Sequence, residues 1–582
     1  MMQKRRSVII TALLFAVLFA SSALLHHFNG DENRRFESYT NHLFCQEVAG
    51  STISLHYTLK NPSSFGIEHT PISFGSYTSD TAAVCAASEN ALSALHSFER
   101  RRLSKENRLT YDILESYLES SRQLAPYTLY DEPLAPLTGA QAQLPVLLSE
   151  YRFYSRSDIE TYLKLLTKTP EYFHSILEFE RAKSESGLFM AAYSAEDIIQ
   201  ECQAFIDMAD QNYLYSSFRE RLDATDLTEE EKNAYIETNS AYIKDYVFPA
   251  YSELKDGLSA LRDTGKNSNG LCHLPDGRKY YELTAASETG SSRTIPELQQ
   301  LTQQQMIADL TDMQKILTPS SGVSSVSSDL FKSQGTILAD RDPASILAEL
   351  KGRLKSNFPD PPKVSTQIKY VQKSMEDYLS PAFYMIPAID NSSENVIYIN
   401  QGHLPDDLSL FTTLAHEGYP GHLYQTTYYA GTDPDPIRNL LNFGGYTEGW
   451  ATYTEMMSYY YAPLSKEQAT LMQKNNSVIL GLYALADMGI HYEGWTLLET
   501  ISFFRSYGIT DTDSIETIYE LIIADPANYL KYYIGYVEFL ELKKDALKEW
   551  GDDFSQKRFH TAVLDIGPAP FELIHNYILN DK

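Results

Sequence analysis

From about Ala83 to Leu261 the chain carries helical periodicity. Ile159, Tyr162, Leu165 and Leu166 recur three and four apart, and Ile176, Phe179 and Ala182 repeat the pattern. Apolar residues so spaced line one face of a helix, and that face must be buried against another layer. Turn clusters such as Asp131-Glu132-Pro133 separate the predicted helices. The pattern breaks between Asp263 and Gly270, and Pro275-Asp276-Gly277 adds a turn. A second helical region starts at Thr294-Ile295-Pro296-Glu297, where Thr294 is the expected cap, Pro296 sits in the first turn and Glu297 completes a capping box. Pro319 to Ser328 is Ser-rich and reads as a solvent loop, while Phe36 to Leu59 carries mixed signal. Val396 to Asn400, β-branched and aromatic, is the best strand candidate. The expected fold is mainly α with a small β-sheet.

At 582 residues the chain exceeds one ordinary compact domain. The expected division is an N-terminal targeting segment over 1–30, a mainly helical region over 31–270 and a metal-binding catalytic region over 271–582. Hydrophobic residues make up 43% and charged residues 21%, which supplies a core and argues against global disorder.

Lys4, Arg5 and Arg6 precede a nearly unbroken apolar run from Val8 to Leu25. That pairing predicts a signal peptide or, favoured by the run length, an uncleaved signal anchor that crosses the membrane as a helix. The positive flank would stay inside, leaving the bulk of the chain extracytoplasmic and membrane-anchored, or secreted if the signal is cleaved. No Leu-x-x-Cys lipidation box follows. The formal net charge of −29 disfavours nucleic acid as a partner. Cys45, Cys85, Cys202 and Cys272 fit no zinc ribbon, and Cys45–Cys85 is the more favoured disulfide outside the cell.

The chemistry concentrates in Leu414-Ala-His416-Glu417-Gly-Tyr-Pro420-Gly421-His422. Imidazole is a good zinc ligand, and a carboxylate beside the ion can take the proton of an attacking water. In the common zinc-peptidase pattern the two histidines are four apart on one helical face. Here they are six apart, which on an unbroken helix points them to different faces. Pro420 and Gly421 predict a local bulge that brings His422 back to the ion. A third ligand is expected 26 residues after His422, at Glu448 in Tyr446-Thr-Glu448-Gly-Trp450-Ala. Glu455 lies on nearly the same helical face, as a support or an alternative ligand. Asp487 and His491 share a face at i, i+4. Asp487 is a further support or alternative ligand, and His491 or Tyr532 is the expected oxyanion donor. Trp450 reads as a core anchor behind the site, and His403, His560 and His575 read as ordinary.

These motifs resemble the bacterial DUF885 family, whose members are similar to gluzincin zinc metallopeptidases. The marks are His416-Glu417-x-x-Pro420-Gly421-His422, Glu448-Gly449-Trp450-Ala451, Asp487-x-Gly489-Ile490-His491-x-x-Gly494-Trp495, Tyr532-x-Ile534-Gly535 and Gly567-Pro568-x-Pro570. They cover roughly Gly277 to the C-terminus. The resemblance implies a large helical, gluzincin-like fold with a small β-sheet beside the active-site helix and a zinc cleft, and it favours Glu448 over Glu455 as ligand. The chain departs from the family at Tyr536, where Gln is common, and at Lys543-Lys544, where Arg is usual.

No Gly-x-Ser-x-Gly elbow, phosphate loop or dinucleotide fingerprint is present. The expected function is a zinc-dependent peptidase acting on a peptide or peptide-like substrate, with one Zn2+ on His416, His422 and Glu448 and Glu417 as general base. The alternatives are a metallohydrolase of a non-peptide amide or cell-wall component, and a catalytically silent, surface-tethered binding protein.

Overall fold

The computed structural model describes residues 31–318, 342–371, 373, 376, 380–403 and 407–580. It is mostly helical, with one three-stranded sheet. The elements that frame the site are numbered here in chain order: α1 (Lys105–Leu124), α2 (Gly277–Thr289), α3 (Ile295–Leu317), β1 (Ser365–Tyr370), β2 (Ala382–Met385), β3 (Glu394–Ile399), α4 (Asp407–Glu417), α5 (His422–Ala430), α6 (Gly444–Ser458), α7 (Lys466–Met488) and α8 (Asn528–Trp550).

Local signals account for several boundaries. Thr294 and Glu297 form the expected capping box at the start of α3, with Pro296 in the first turn. The strand expected near Val396 is β3, and the Ser-rich stretch from Pro319 to Ser328 lies outside the described residues. The segment of mixed signal folds instead into two helices, Glu32–Ala49 and Thr52–Thr58. Phe36, Tyr39, Leu43, Phe44 and Val48 are buried along the first of them, so its apolar stripe is helical although its mean composition is polar.

The sheet has the order β1-β3-β2, with β1 parallel and β2 antiparallel to β3. Alternation along β3 sends Val396 and Tyr398 into one apolar cluster and Ile397 and Ile399 into another. Phe383 and Met385 join the first face, Ala382 and Tyr384 the second. The sheet therefore lies between the core of the helices around Tyr162 and Tyr251 and the core that supports α4 to α8.

Helices α6 and α8 touch backbone to backbone. A Cβ on Gly449 would lie 2.4 Å from the Gly535 carbonyl carbon, and one on Gly535 would lie 2.2 Å from the Gly445 carbonyl oxygen. No side chain fits at this crossing, and it sets how close Glu448 on α6 comes to Tyr532 on α8.

Two expectations are corrected. Residues 1–30, expected to hold the signal anchor, lie outside the described residues. Among the described residues no helix is long and apolar enough to cross a membrane, which overturns the expected transmembrane helix, the membrane as a partner through it and the location anchored by it. The long helices are amphipathic: α1 buries Ile113, Leu114 and Leu118 and turns Glu, Arg and Gln side chains outward. The four cysteines are also free, so the favoured Cys45–Cys85 pair does not form; the Cys45 thiol points to the Phe65 carbonyl instead.

Gly535→Ala should destabilise the fold by about 1–3 kcal/mol through overpacking. Gly352→Ala, on a helix where a Cβ meets nothing within 4 Å, should be neutral or slightly stabilising. Denaturant unfolding of both variants checks this; equal midpoints would refute the crossing as a packing constraint.

Candidate metal centre

The chain from His416 to His422 is a break between two helices rather than a bulge within one. Helix α4 ends at Glu417 and α5 begins at His422. Gly418 N–H donates to Leu414 O at 2.9 Å and Gly421 N–H to Ala415 O at 2.9 Å, which closes the end of α4. A Cβ on Gly421 would lie 1.8 Å from the His416 carbonyl oxygen, so the chain folds back over α4 at a point that only glycine allows. The Tyr419–Pro420 peptide bond is cis. The buried Trp450 indole on α6 donates to Pro420 O at 2.9 Å and ties the break to the helix that carries Glu448.

The break brings His416, Glu417 and His422 together, with one potential ligand atom of each inside a 4.8 Å cluster. Glu448 Oε2 lies 3.3 Å from His422 Nε2 and 3.6 Å from His416 Nε2. Zinc ligands at about 2.0–2.1 Å in a tetrahedron stand roughly 3.3 Å apart. The two carboxylate–imidazole separations match that scale, and two imidazoles with one carboxylate match the ion's donor chemistry. His416 Nδ1 donates to Glu455 Oε2 at 3.0 Å, which leaves Nε2 facing Glu448. Asn476 in turn donates to Glu455 Oε1 at 3.3 Å. A carboxylate behind a ligand imidazole fixes its tautomer and raises its basicity.

Burial opposes charge on His416, but its hydrogen bonds with Glu448 and Glu455 and the nearby charge of Glu417 prevail and push its pKa up to about 10. A setting so rich in carboxylate favours a cation.

The site opens into a cavity of about 270 Å³ whose walls include Ser380, Phe383, Tyr384, Thr413 and Tyr532. Glu417 and Glu455 also line it. Strand β2 is an edge of the sheet among the described residues and forms one wall. Its Tyr384 N–H donates to Glu417 Oε2 at 2.8 Å. Sequence reasoning missed this partner, because only the fold brings a backbone amide 33 positions away to that carboxylate. For Tyr532, burial first and then the charges of Glu448 and Glu417 hold the hydroxyl pKa far above the ordinary value, so it stays a donor.

Asp487 and His491 do not line this cavity. Asp487 accepts from Tyr281 Oη at 2.6 Å and from Ala527 N–H at 3.1 Å. The His491 ring accepts from Leu271 N–H at 3.2 Å, reaches Ile522 O at 2.8 Å and stacks on Tyr281. Burial lowers its pKa to about 4, so it is neutral. The pair does share a face, as the spacing predicts, but that face is turned towards α2.

Residues 75–578 match the bacterial family described as a bacterial protein of unknown function, DUF885. Two solved structures share the fold. A candidate lipoprotein of Colwellia psychrerythraea is 19% identical with a TM-score of 0.80, over 95% of this chain and 100% of its own. A candidate lipoprotein of unknown function of Shewanella oneidensis is 18% identical with a TM-score of 0.60, over 94% of this chain and 98% of its own. No curated protein matches the chain.

Trp450→Phe keeps the buried ring but deletes the bond to Pro420 O. It should weaken zinc affinity about 10–100-fold, the scale of a lost supporting contact. Chelator competition measures this; unchanged affinity would show that the indole does not hold the break.

Proposed function

We propose that this chain, which belongs to the bacterial DUF885 family, is a metal-dependent hydrolase of amide bonds whose ion is held by His416, His422 and Glu448. The observation that carries the reading is the approach of Glu448 Oε2 to both imidazoles, at 3.3 and 3.6 Å, beside the further carboxylate of Glu417 in an open cavity. A zinc ion there would polarise a carbonyl and lower the pKa of water towards neutrality. It is the ion best suited to two imidazoles and one carboxylate with a position left open.

The chain's own groups then have distinct tasks. Tyr384 N–H fixes one oxygen of Glu417, and the carboxylate takes the proton of the attacking water. Glu417 later returns that proton to the leaving amine. The Tyr532 hydroxyl, held protonated, donates to the oxygen on which negative charge develops. His491 has no part in these steps; it holds the end of α7 against α2 and the turn at Leu271.

A peptide is the finer reading, and the edge strand β2 supports it. An extended main chain can lie along such an edge and use its outward amides and carbonyls. The gluzincin likeness belongs to the same reading. An amide in a cell-wall component or another non-peptide would meet the same groups. The contrasting reading is a silent binding protein that keeps the fold, and the relatives named as candidate lipoproteins carry no activity in their names.

Elemental analysis with a peptide-amide hydrolysis screen separates these readings. The expected result is one zinc per chain and hydrolysis, with Glu417→Gln retaining zinc and losing about 10²–10⁴-fold in turnover. Undiminished hydrolysis by that variant would remove Glu417 from its role. Protein without stoichiometric zinc or hydrolysis would favour the silent reading.

A further inference from the structure

The carboxylates at the candidate metal centre outnumber the charge that one ion can bring. Glu417, Glu448 and Glu455 line its cavity, and among the described residues the lining contains no Lys or Arg. Glu448 Oε2 lies 3.3 and 3.6 Å from the two imidazoles, and Glu417 belongs to the 4.8 Å ligand cluster. Glu455 Oε2 stands one imidazole ring further out, 3.0 Å from His416 Nδ1. Imidazoles bind a metal in their neutral form. A dication therefore offsets two of these carboxylates and leaves one negative charge in excess.

No lining residue supplies the missing cation. The Lys531 ammonium lies 5.6 Å from the centre of the Tyr532 ring, but Lys531 is buried and does not line the cavity. Lys531 Cδ and Glu288 Oε2 approach the same point, 3.3 and 3.4 Å from where a Cβ on Gly444 would stand. For Tyr532, which does line the cavity, burial and then the charges of Glu448, Glu417 and Asp525 raise the hydroxyl pKa, and each of those charges is negative. The remaining lining residues are neutral, Ser380, Pro381, Ile386 and Thr413 among them. Hydroxyls can serve a neutral amide, but they cannot neutralise a carboxylate.

This distribution bears on one position of a substrate. Release of a C-terminal residue would place the terminal carboxylate on the leaving residue, about 3.3–3.6 Å of chain beyond the bond. That lies inside the roughly 8 Å over which salt screens charge, so the carboxylate would meet the excess negative charge with no counter-ion on the wall. A continuing chain or an amidated end presents no charge there.

We propose that this cavity selects against a free carboxylate on the leaving residue, so that its substrates are amides cut inside a chain or beside a blocked end rather than at a free C-terminal residue. The inference rests on the hydrolytic reading of the metal centre and narrows its substrate class. Glu455, on the cavity wall behind His416, contributes to the selection through its charge.

The test uses the zinc-loaded full chain and two uncleavable ligands that reach the ion through the same hydroxamate. Succinic monohydroxamic acid and its primary amide differ only in a terminal carboxylate or carboxamide. Calorimetry should show the amide binding about tenfold or more tighter than the acid. Glu455→Gln should bring the ratio to within about threefold; both ligands use the same ion, so weakened zinc binding cancels from that ratio. Raising the ionic strength to about 1 M should shrink the advantage with no substitution at all, which covers a variant that fails to fold. Equal or tighter binding of the acid would overturn the proposal, and binding of neither ligand would remove the metal and the proposal together. Hydrolysis is scored separately: N-acetyl-Ala-Ala-amide should be cut between its alanines about tenfold or more faster than N-acetyl-Ala-Ala. Preference for the neutral ligand without cleavage of either peptide would sink the hydrolytic reading and leave the charge selection standing.

Discussion

The Trp450 indole bonded to the Pro420 carbonyl is the contact on which the rest of the site depends. His416 and His422 cannot face one ion from a single straight helix, because six residues turn the chain well past one face. The chain ends α4 and restarts as α5, and such a break holds a defined geometry only if something outside it fixes its carbonyl groups. Trp450 does so from α6, two residues after Glu448. The contact that fixes the break is thus in register with the third donor. The glycine crossing of α6 and α8 extends the same logic, since it seats Tyr532 beside the donor triangle.

The electrostatics of the two buried polar clusters differ in kind. At the candidate metal centre, Glu417, Glu448 and Glu455 surround two imidazoles, and one of those is driven strongly towards its charged form. Buried negative charge in excess of its partners is costly unless a cation shares the space. At the end of α7, Asp487 accepts from Tyr281 and from Ala527 N–H, and the neutral His491 imidazole bonds to Leu271 N–H and Ile522 O while it stacks on Tyr281. The first arrangement suits a dication; the second is a buried polar joint that locks helices together.

Local pattern made the helical body, the cap at Thr294 and the strand at β3 legible in the sequence, since each is a property of consecutive residues. The meeting of His416, Glu417 and His422 was legible because Pro420 and Gly421 announce the interruption between them. The amphipathic helix from Glu32 was masked by its polar average, although its apolar stripe follows helical spacing. The Tyr384 amide, β2 as a cavity wall and the indole bond to Pro420 are long-range contacts that no local spacing encodes. The Asp487–His491 pair shows the reverse case. Its spacing fixed a shared face, and tertiary packing decided where that face points. The expected membrane anchor rested on residues 1–30, which lie outside the described residues; among the described residues no helix is long and apolar enough to cross a membrane.

The most direct test of the central claim is zinc K-edge X-ray absorption on the purified chain. The account predicts a four-coordinate ion with two imidazole nitrogens and carboxylate or water oxygens at about 2.0–2.1 Å, and loss of one imidazole shell in His422→Ala. A spectrum showing sulfur ligands, or an imidazole shell unchanged when His422 is removed, would contradict convergence across the broken helix.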